Sequence, residues 1–406
     1  MDVLKRIIPL SLLLFCIMCL IIPSNGFTGD LNVFHIWRDI IYENGIGNIY
    51  YYGSNYLPVY LYVLKLHGIL FGPEVTDYIF NRHIKLFTLF IELIGIAIVL
   101  ISISERRRIL FHWALLALNI SFLYNSVIWG QVDGIAGTLN FACIFLAYKR
   151  HWSLSFIVFV ISINFKLQSI VFLPIILILL FEQRNLISTR QKIIAFLSVI
   201  ITQIIILIPF LHFGKLLQLY NIVVNSVGFY PVASLHAANI WQLIFFNFDP
   251  HIISDANRYW SLSLKWWGMS LFFITSFIYF LPVLKRMYAG IKKNLMLKIS
   301  FEQLMLICCL IPLTSFFFFT EMHERYAHNA WLFIAAWSFT TKKYFPLILF
   351  SVSYFLNMES VLKFFHSDTT IIIWDLRAIS LLYGTLIIYL LYQMNIKKEP
   401  FFLSKA

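Results

Sequence analysis

Leu86-Phe87-Thr88-Leu89-Phe90-Ile91-Glu92-Leu93-Ile94-Gly95-Ile96-Ala97-Ile98-Val99-Leu100-Ile101, with Arg106-Arg107-Arg108 close behind it, is the stretch that decides the fold. At about 1.5 Å per helical residue such a run, with its flanks, crosses a hydrocarbon layer of roughly 30 Å, and the arginine cluster marks its cytoplasmic end. Similar runs recur along the whole 406-residue chain. Hydrophobic residues make up 60%, charged residues only 12%, and the mean hydropathy is +0.81; a soluble domain is about 25% charged. Barrel strands would be about ten residues of alternating polarity, which these runs do not show, so helices are the expected spans. The sequence therefore predicts an all-α polytopic membrane protein, residues 1–406 forming one integral membrane domain. Cys16, Cys19, Cys143, Cys308 and Cys309 all fall in apolar runs and imply neither a disulfide framework nor a metal site.

Working outward from the arginines, about twelve spans are expected, near 7–23, 83–104, 109–127, 132–148, 152–164, 167–181, 192–210, 264–284, 301–320, 326–341, 344–360 and 371–394. With the N-terminus inside, most of the 31 basic residues fall on the cytoplasmic side, and most of the 19 acids on the other. The net charge of +12 is thus mainly a topology signal. Its basic groups are scattered over separate turns, which argues against a nucleic-acid partner. The first run with Lys5-Arg6 could also be a cleaved signal sequence, although Pro23-Ser24-Asn25-Gly26 is a poor cleavage site.

Two long external segments are expected, 24–82 and 211–263, where elsewhere the turns are short. Long loops in a compact membrane protein are usually functional. In the first, Val33, Phe34, Ile36, Trp37, Ile40, Ile41 and Tyr42 recur at helical spacing, with Arg38, Asp39 and Glu43 opposite, which predicts a helix lying in the interface. Tyr56 through Leu70 is apolar too. Reading it as a span would place the triple arginine outside, so it is expected to be interfacial or re-entrant.

The chemistry candidates sit where spans meet on the external face. Asp30 follows the first span, Trp129-Gly130-Gln131-Val132-Asp133 joins the third and fourth, and Asn164-Phe165-Lys166-Leu167-Gln168 joins the fifth and sixth. Glu321-Met322-His323-Glu324-Arg325-Tyr326 joins the ninth and tenth. Polar groups at a bilayer edge are costly, so their gathering on one face points to a polar site walled by helices. Transfer of a sugar from a lipid phosphate to a hydroxyl would use this set. The hydroxyl needs a base, for which Asp30 is the candidate, and the departing phosphate needs cations and donors, for which Lys166, His323 and Arg325 are candidates. No Gly-rich phosphate loop or dinucleotide fingerprint is present.

Gly29-Asp30 with His35-Ile36-Trp37, Tyr56-Leu57-Pro58-Val59-Tyr60, Trp129-Gly130-Gln131-Val132-Asp133, Lys166-Leu167-Gln168 and Met322-His323-Glu324-Arg325-Tyr326 occur in an order that resembles the GT-C glycosyltransferases. The likeness is to the dolichyl-phosphate-sugar-dependent glucosyltransferases of asparagine-linked glycosylation and to bacterial and GPI-anchor mannosyltransferases, over roughly residues 5–345. It implies a GT-C-like fold with interfacial helices in the first loop and Asp30 as catalytic base, with Asp133 as a second catalytic candidate. It also implies a polyprenyl-phosphate hexose donor, inversion at the anomeric carbon, and Trp129, Gln131, Gln168, Glu324 and Asn239 as substrate-binding candidates, the last through an Asn-x-Trp element at Asn239-Ile240-Trp241. Mannose is favoured over glucose from the Trp-Gly-Gln-x-Asp and His-Glu-Arg-Tyr forms. Leu57-Pro58 stands where the family often has Pro-Pro, and the last two spans match nothing in it.

Each residue also has a plainer reading. Asp30 and Asp133 could be charges favoured at helix N-termini, Trp129 part of an aromatic belt, Lys166 a snorkelling lysine, and Glu324-Arg325 a structural ion pair beside a helix-end His323. Asp39 and Glu43 read as a solvated face, and Glu92 as a group bonded to a neighbouring helix. Asp30, Asp39 and Asp133 could together hold a divalent cation, but the spacing does not demand one and no cofactor is expected. The partners expected are the lipid-linked donor, a glycan, glycolipid or lipid-linked acceptor, and the bilayer of a bacterial inner membrane or endoplasmic reticulum, with the site on the extracytoplasmic or lumenal side. A transporter or flippase of lipid-linked sugars would instead place polar groups at mid-membrane. A polysaccharide polymerase or ligase would carry a large Arg-rich external loop, and 211–263 contains only Arg258.

Overall fold

The computed structural model describes residues 2–396 other than 27, 104, 106, 227, 294 and 366–373, together with 402–405. Arg106, Lys397, Lys398 and residues 371–373 at the start of the last expected span lie outside the described residues. The chain is helical nearly throughout. The first helix, α1 (Asp2–Ile21), leads to α2 (Thr28–Asn44), α3 (Pro58–Phe71) and α4 (Asp77–Ser102). Next come α5 (Ile109–Ala117) and the short α6 (Ile120–Leu123), continued by a π-helical turn over Tyr124–Trp129. Then α7 (Asp133–Tyr148), α8 (Trp152–Phe165), α9 (Leu173–Glu182) and α10 (Thr189–Leu207) zigzag through the bundle. The segment between α10 and the next long helix holds α11 (Phe213–Val224), α12 (Ile240–Ile244) and a two-residue hairpin, Arg258–Tyr259 against Leu262–Ser263. The last helices are α13 (Leu264–Lys293), α14 (Phe301–Phe318), α15 (Trp331–Thr341), α16 (Phe345–Leu362) and α17 (Leu376–Ile396), and a strand at Leu295–Lys298 pairs antiparallel with one at Phe402–Lys405.

Local chemistry sets several boundaries. Ser188 and Ser300 each build a reciprocal capping box with the glutamine three residues on, satisfying backbone donors that would otherwise be orphaned at the starts of α10 and α14. Asn119 breaks the third apolar run: its side chain accepts from the Ser121 amide at 3.0 Å and starts α6. Helix occurs at each of the twelve expected spans. Among the described residues eight helical stretches are long and apolar enough to cross a bilayer, whereas 133–148, 152–165 and 167–182 are shorter, and 326–341 is a 3-10 turn followed by α15.

At the centre lie α14 and α15, with Cys308, Cys309, Phe333 and Ala335 fully buried. By contrast α1, α10 and α13 present Leu20, Phe196, Ile205, Phe273 and Ile278 outward. Apolar surface of that extent is uncovered in water and covered in lipid, so this is a multi-pass integral membrane protein.

The buried stripe of α2 is Leu31, Phe34, Trp37 and Ile41, packed on α3. Arg38 belongs to that stripe rather than to the solvated face expected for it: its guanidinium donates to the carbonyls of Gly72 and Pro73. Those groups follow the C-terminal end of α3, where carbonyls lack helical partners and favour a cation. Glu43 is exposed as expected, whereas Asp39 is half-buried and receives Arg38.

Candidate active site

The site forms where α1, α8 and α14 end and α2, α4 and α7 begin. Gly130 makes it possible locally. Its left-handed φ of +87° closes the π-helical turn, with the amides of Gly130 and Gln131 both donating to the Asn125 carbonyl, at 3.1 and 3.0 Å. The turn delivers Gln131, fully buried, and sets Asp133 as the first residue of α7. Asp30 lies in the first turn of α2, with a side chain 32% exposed. Lys166 occupies the extended break between α8 and the 3-10 turn of Leu167–Phe172. Arg325 precedes the 3-10 turn of Tyr326–Ala330, and its carbonyl is fixed by the Tyr354 hydroxyl of α16 at 3.1 Å.

These groups meet. The Gln131 amide donates to Asp30, and Lys166 donates to Asp133. Arg325 spans the centre, with N–H groups 3.5 Å from Asp30, 3.5 Å from Asp133 and 2.7 Å from Glu324. The Tyr326 ring lies beside both cations, 5.8 Å from the Lys166 ammonium and 5.7 Å from the Arg325 guanidinium carbon. Asp30 is the most open of the five. Its Oδ2 receives Gln131 and faces Arg325, so both the helix-end position and the cross-site contacts apply to it.

Burial would raise the Glu324 carboxyl, but Arg325 and His323 overcome it and hold it at about 2. Burial likewise opposes charge on Arg325, yet Glu324, Asp30 and Asp133 keep the guanidinium firmly protonated. The Lys166 ammonium is lowered by burial, with Asp133 opposing. His323 is lowered by burial and by Arg325, so its neutral form prevails at pH 7. His323 lies 3.7 Å from Glu324 and edge-on to the rings of Tyr230 and Tyr326.

Three other candidates lie outside this polar network. Trp129 is buried in the core at 1% exposure. Gln168 follows Lys166 by two residues, its Oε1 buried without a hydrogen-bond partner among the described residues. Asn239 caps α12, accepting from the Trp241 amide at 3.2 Å, while the Trp241 indole donates to the carbonyls at the end of α14. Among the described residues no three His, Cys, Asp or Glu side chains are grouped as a cation would require; Arg325 stands between Asp30 and Asp133.

Two supporting groups carry no motif in the sequence. Lys85 of α4 is fully buried and donates to the carbonyls of Pro23 at 2.8 Å, of Ile128 at 3.1 Å and of Asn25. It thereby ties the link before Asp30 to the turn before Gln131. Glu92, also on α4, lies 3.2 Å from His328, beneath the Arg325 loop. Gly134 is what lets α7 pass: a Cβ there would sit 1.7 Å from the Glu92 carboxylate. A charged residue inside an apolar run is the signal that could have found Lys85, as it did Glu92.

Fold and site are those of a multi-pass membrane protein with a charged, partly open polar cluster at one end of its helices. Residues 75–221 match the family model described as ALG3 protein, a GT-C-like mannosyltransferase family. The match holds Gln131, Asp133 and Lys166 but neither Asp30 nor Arg325, and covers less than half of the chain. It makes the protein a membrane glycosyltransferase. No protein of curated function matches the chain.

Proposed function

We propose that the protein transfers mannose from a polyprenyl-phosphate donor of the dolichyl type to a hydroxyl of a lipid-linked saccharide, inverting the anomeric carbon. The reaction takes place on the lumenal or extracytoplasmic face of a twelve-span protein whose N-terminus is cytoplasmic. The observation that carries this reading is the convergence on Arg325 of Asp30, Asp133 and Glu324, with Lys166 beside them. Asp30 takes the proton of the acceptor hydroxyl. The hydroxyl oxygen bonds to the anomeric carbon as the bond to the phosphate oxygen breaks, and polyprenyl phosphate leaves with the electron pair. Lys166 and Arg325 receive the charge that develops on that phosphate, with neutral His323 as a further donor. Asp133 holds both cations in place between turnovers, and no metal ion is assigned a step.

The test is transfer in detergent from synthetic polyprenyl-phosphate-mannose and polyprenyl-phosphate-glucose to lipid-linked acceptors, comparing wild type with Asp30→Asn. The substitution is isosteric and leaves the Gln131 and Arg325 neighbours in place. A lost general base predicts a fall in kcat of about 10²- to 10⁴-fold. Turnover equal to wild type would remove Asp30 from the base role, and preference for glucose would overturn mannose.

A further inference from the structure

A second cleft, of about 460 Å³, opens between residues 236–250 and the start of α17, outside the acid–base cluster. It is joined to that cluster by backbone. The Leu235 amide donates to the Met322 carbonyl at 2.9 Å, and both Leu235 and His236 bridge to His323, two residues before Arg325. His236 holds this position at a left-handed φ of +61° and stacks on His251 with ring centroids 4.4 Å apart.

The charges of the cleft nearly cancel. Asp249 and Asp375 supply carboxylates, and the one guanidinium, Arg377, is already bound: its Nε lies 2.8 Å from Asp375, and it donates to the Phe246 carbonyl at 3.1 Å. No surplus cation is left for a phosphate. Burial and His251 lower His236, leaving a neutral imidazole that can both donate and accept. The amides of Gln242 and Asn247 add donors and acceptors, and the rings of Phe246 and Phe248 are 62% and 68% exposed. Mixed donors and acceptors with one carboxylate in excess and no free cation, beside open aromatic faces, match pyranoses: hydroxyls meet the polar groups, and C–H faces lie on the rings.

We propose that this cleft binds the neutral saccharide of the acceptor and passes its reactive end by His236 and His323 towards Asp30. The inference rests on the glycosyltransferase reading of the Asp30 site. The experiment is titration of the purified full-length protein with soluble mannopentaose, without donor, read by saturation-transfer NMR. Wild type binds saturably, and Phe248→Ala and Arg377→Gln each weaken binding about tenfold, the loss of one charge-assisted contact or one stacked face. Phe248, with an outward ring, keeps the test decisive where Arg377→Gln disturbs the loop. No saturable binding by wild type, equal affinity in both variants, or displacement of the sugar by inorganic phosphate would each overturn the proposal. Asp30→Asn separates the two readings. If it abolishes transfer and binds mannopentaose as wild type does, the site reading and the cleft both stand; if it abolishes transfer while the cleft variants bind normally, only the cleft assignment fails; if it leaves transfer unchanged while the cleft variants lose binding, only the Asp30 assignment fails.

Discussion

Lys85→Met replaces the ammonium that fastens the two arms of the site with a side chain of similar length that cannot donate. In the native protein that ammonium serves three carbonyls, those of Pro23, Asn25 and Ile128, from a fully buried position. Each buried acceptor left without a partner costs about 1 kcal/mol or more. Three give about 3 kcal/mol, reduced by the gain from burying a thioether in place of a charge. A catalytic effect of similar size accompanies the effect on stability. The link through Pro23 and Asn25 runs directly into α2, and Ile128 precedes Gln131, so the carboxylate of Asp30 and its amide partner lose their common anchor. A misplacement near 1 Å can lower turnover about 10²-fold. The assay is kcat for mannose transfer, with thermal unfolding in detergent on the same preparation. The expected result is a lower melting temperature and a kcat reduced by one to two orders of magnitude, about 1.4–2.8 kcal/mol of barrier. Wild-type kcat in a folded Lys85→Met protein would refute the view that this lysine sets the geometry of Asp30.

Gly134→Ala places a Cβ 1.7 Å from a Glu92 oxygen, so the buried Glu92 side chain has to shift. Overpacking of this kind costs about 1–3 kcal/mol, measurable as a lower melting temperature; an unchanged one would show that the Glu92 side chain moves aside at little cost. The pH dependence of stability follows from His323 and Glu324. His323 is lowered from 6.5, so its contribution is present above that value and is lost as pH falls towards its folded value. Glu324 is lowered from 4.5 to about 2, so its contribution is present above 4.5 and is lost as pH falls towards 2. Stability should therefore decline on acidification, first through His323, and His323→Gln should flatten the part between neutrality and pH 5 in unfolding curves.

The sequence makes the joints of the bundle legible because hydropathy and basic turns fix which ends of the helices share a face. Asp30, Gln131, Asp133, Lys166 and Arg325 are separated by up to hundreds of residues, yet alternation of spans alone puts them together. What it does not disclose is which side of a helix is occupied. Arg38 falls among polar neighbours in the sequence, and only the end of α3, with its unpartnered carbonyls, gives it a buried place. Lys85 is three residues inside an apolar run, close enough to the expected boundary to pass for a headgroup lysine. Its acceptors come from two loops that are remote in the chain, and no local period encodes such a convergence. The cleft beside α17 is hidden for the same reason: its walls are drawn from residues 236–250 and 375–377.

The charges of the Asp30–Arg325 cluster bear on how the proposed reaction would turn over. Three carboxylates, Asp30, Asp133 and Glu324, face two cations, Lys166 and Arg325, with His323 neutral. A phosphate arriving at this set finds no idle cation, so it must exchange places with carboxylates already there. The contacts differ in how readily they give way. Glu324 lies 2.7 Å from Arg325 and is buried, whereas Asp30 lies 3.5 Å away on a side chain one-third open to solvent. A carboxylate that can be rehydrated loses less on release than one that is buried. Donor phosphate would therefore take the guanidinium edge from Asp30 and leave the Glu324 pair intact. With the guanidinium turned to the phosphate, the Asp30 carboxylate would be the stronger base, which in the proposed reaction would couple proton abstraction to the presence of the leaving group. In the proposed reaction Glu324 would keep Arg325 in position, and the weak contact between Arg325 and Asp30 would be the part of the site that has to break.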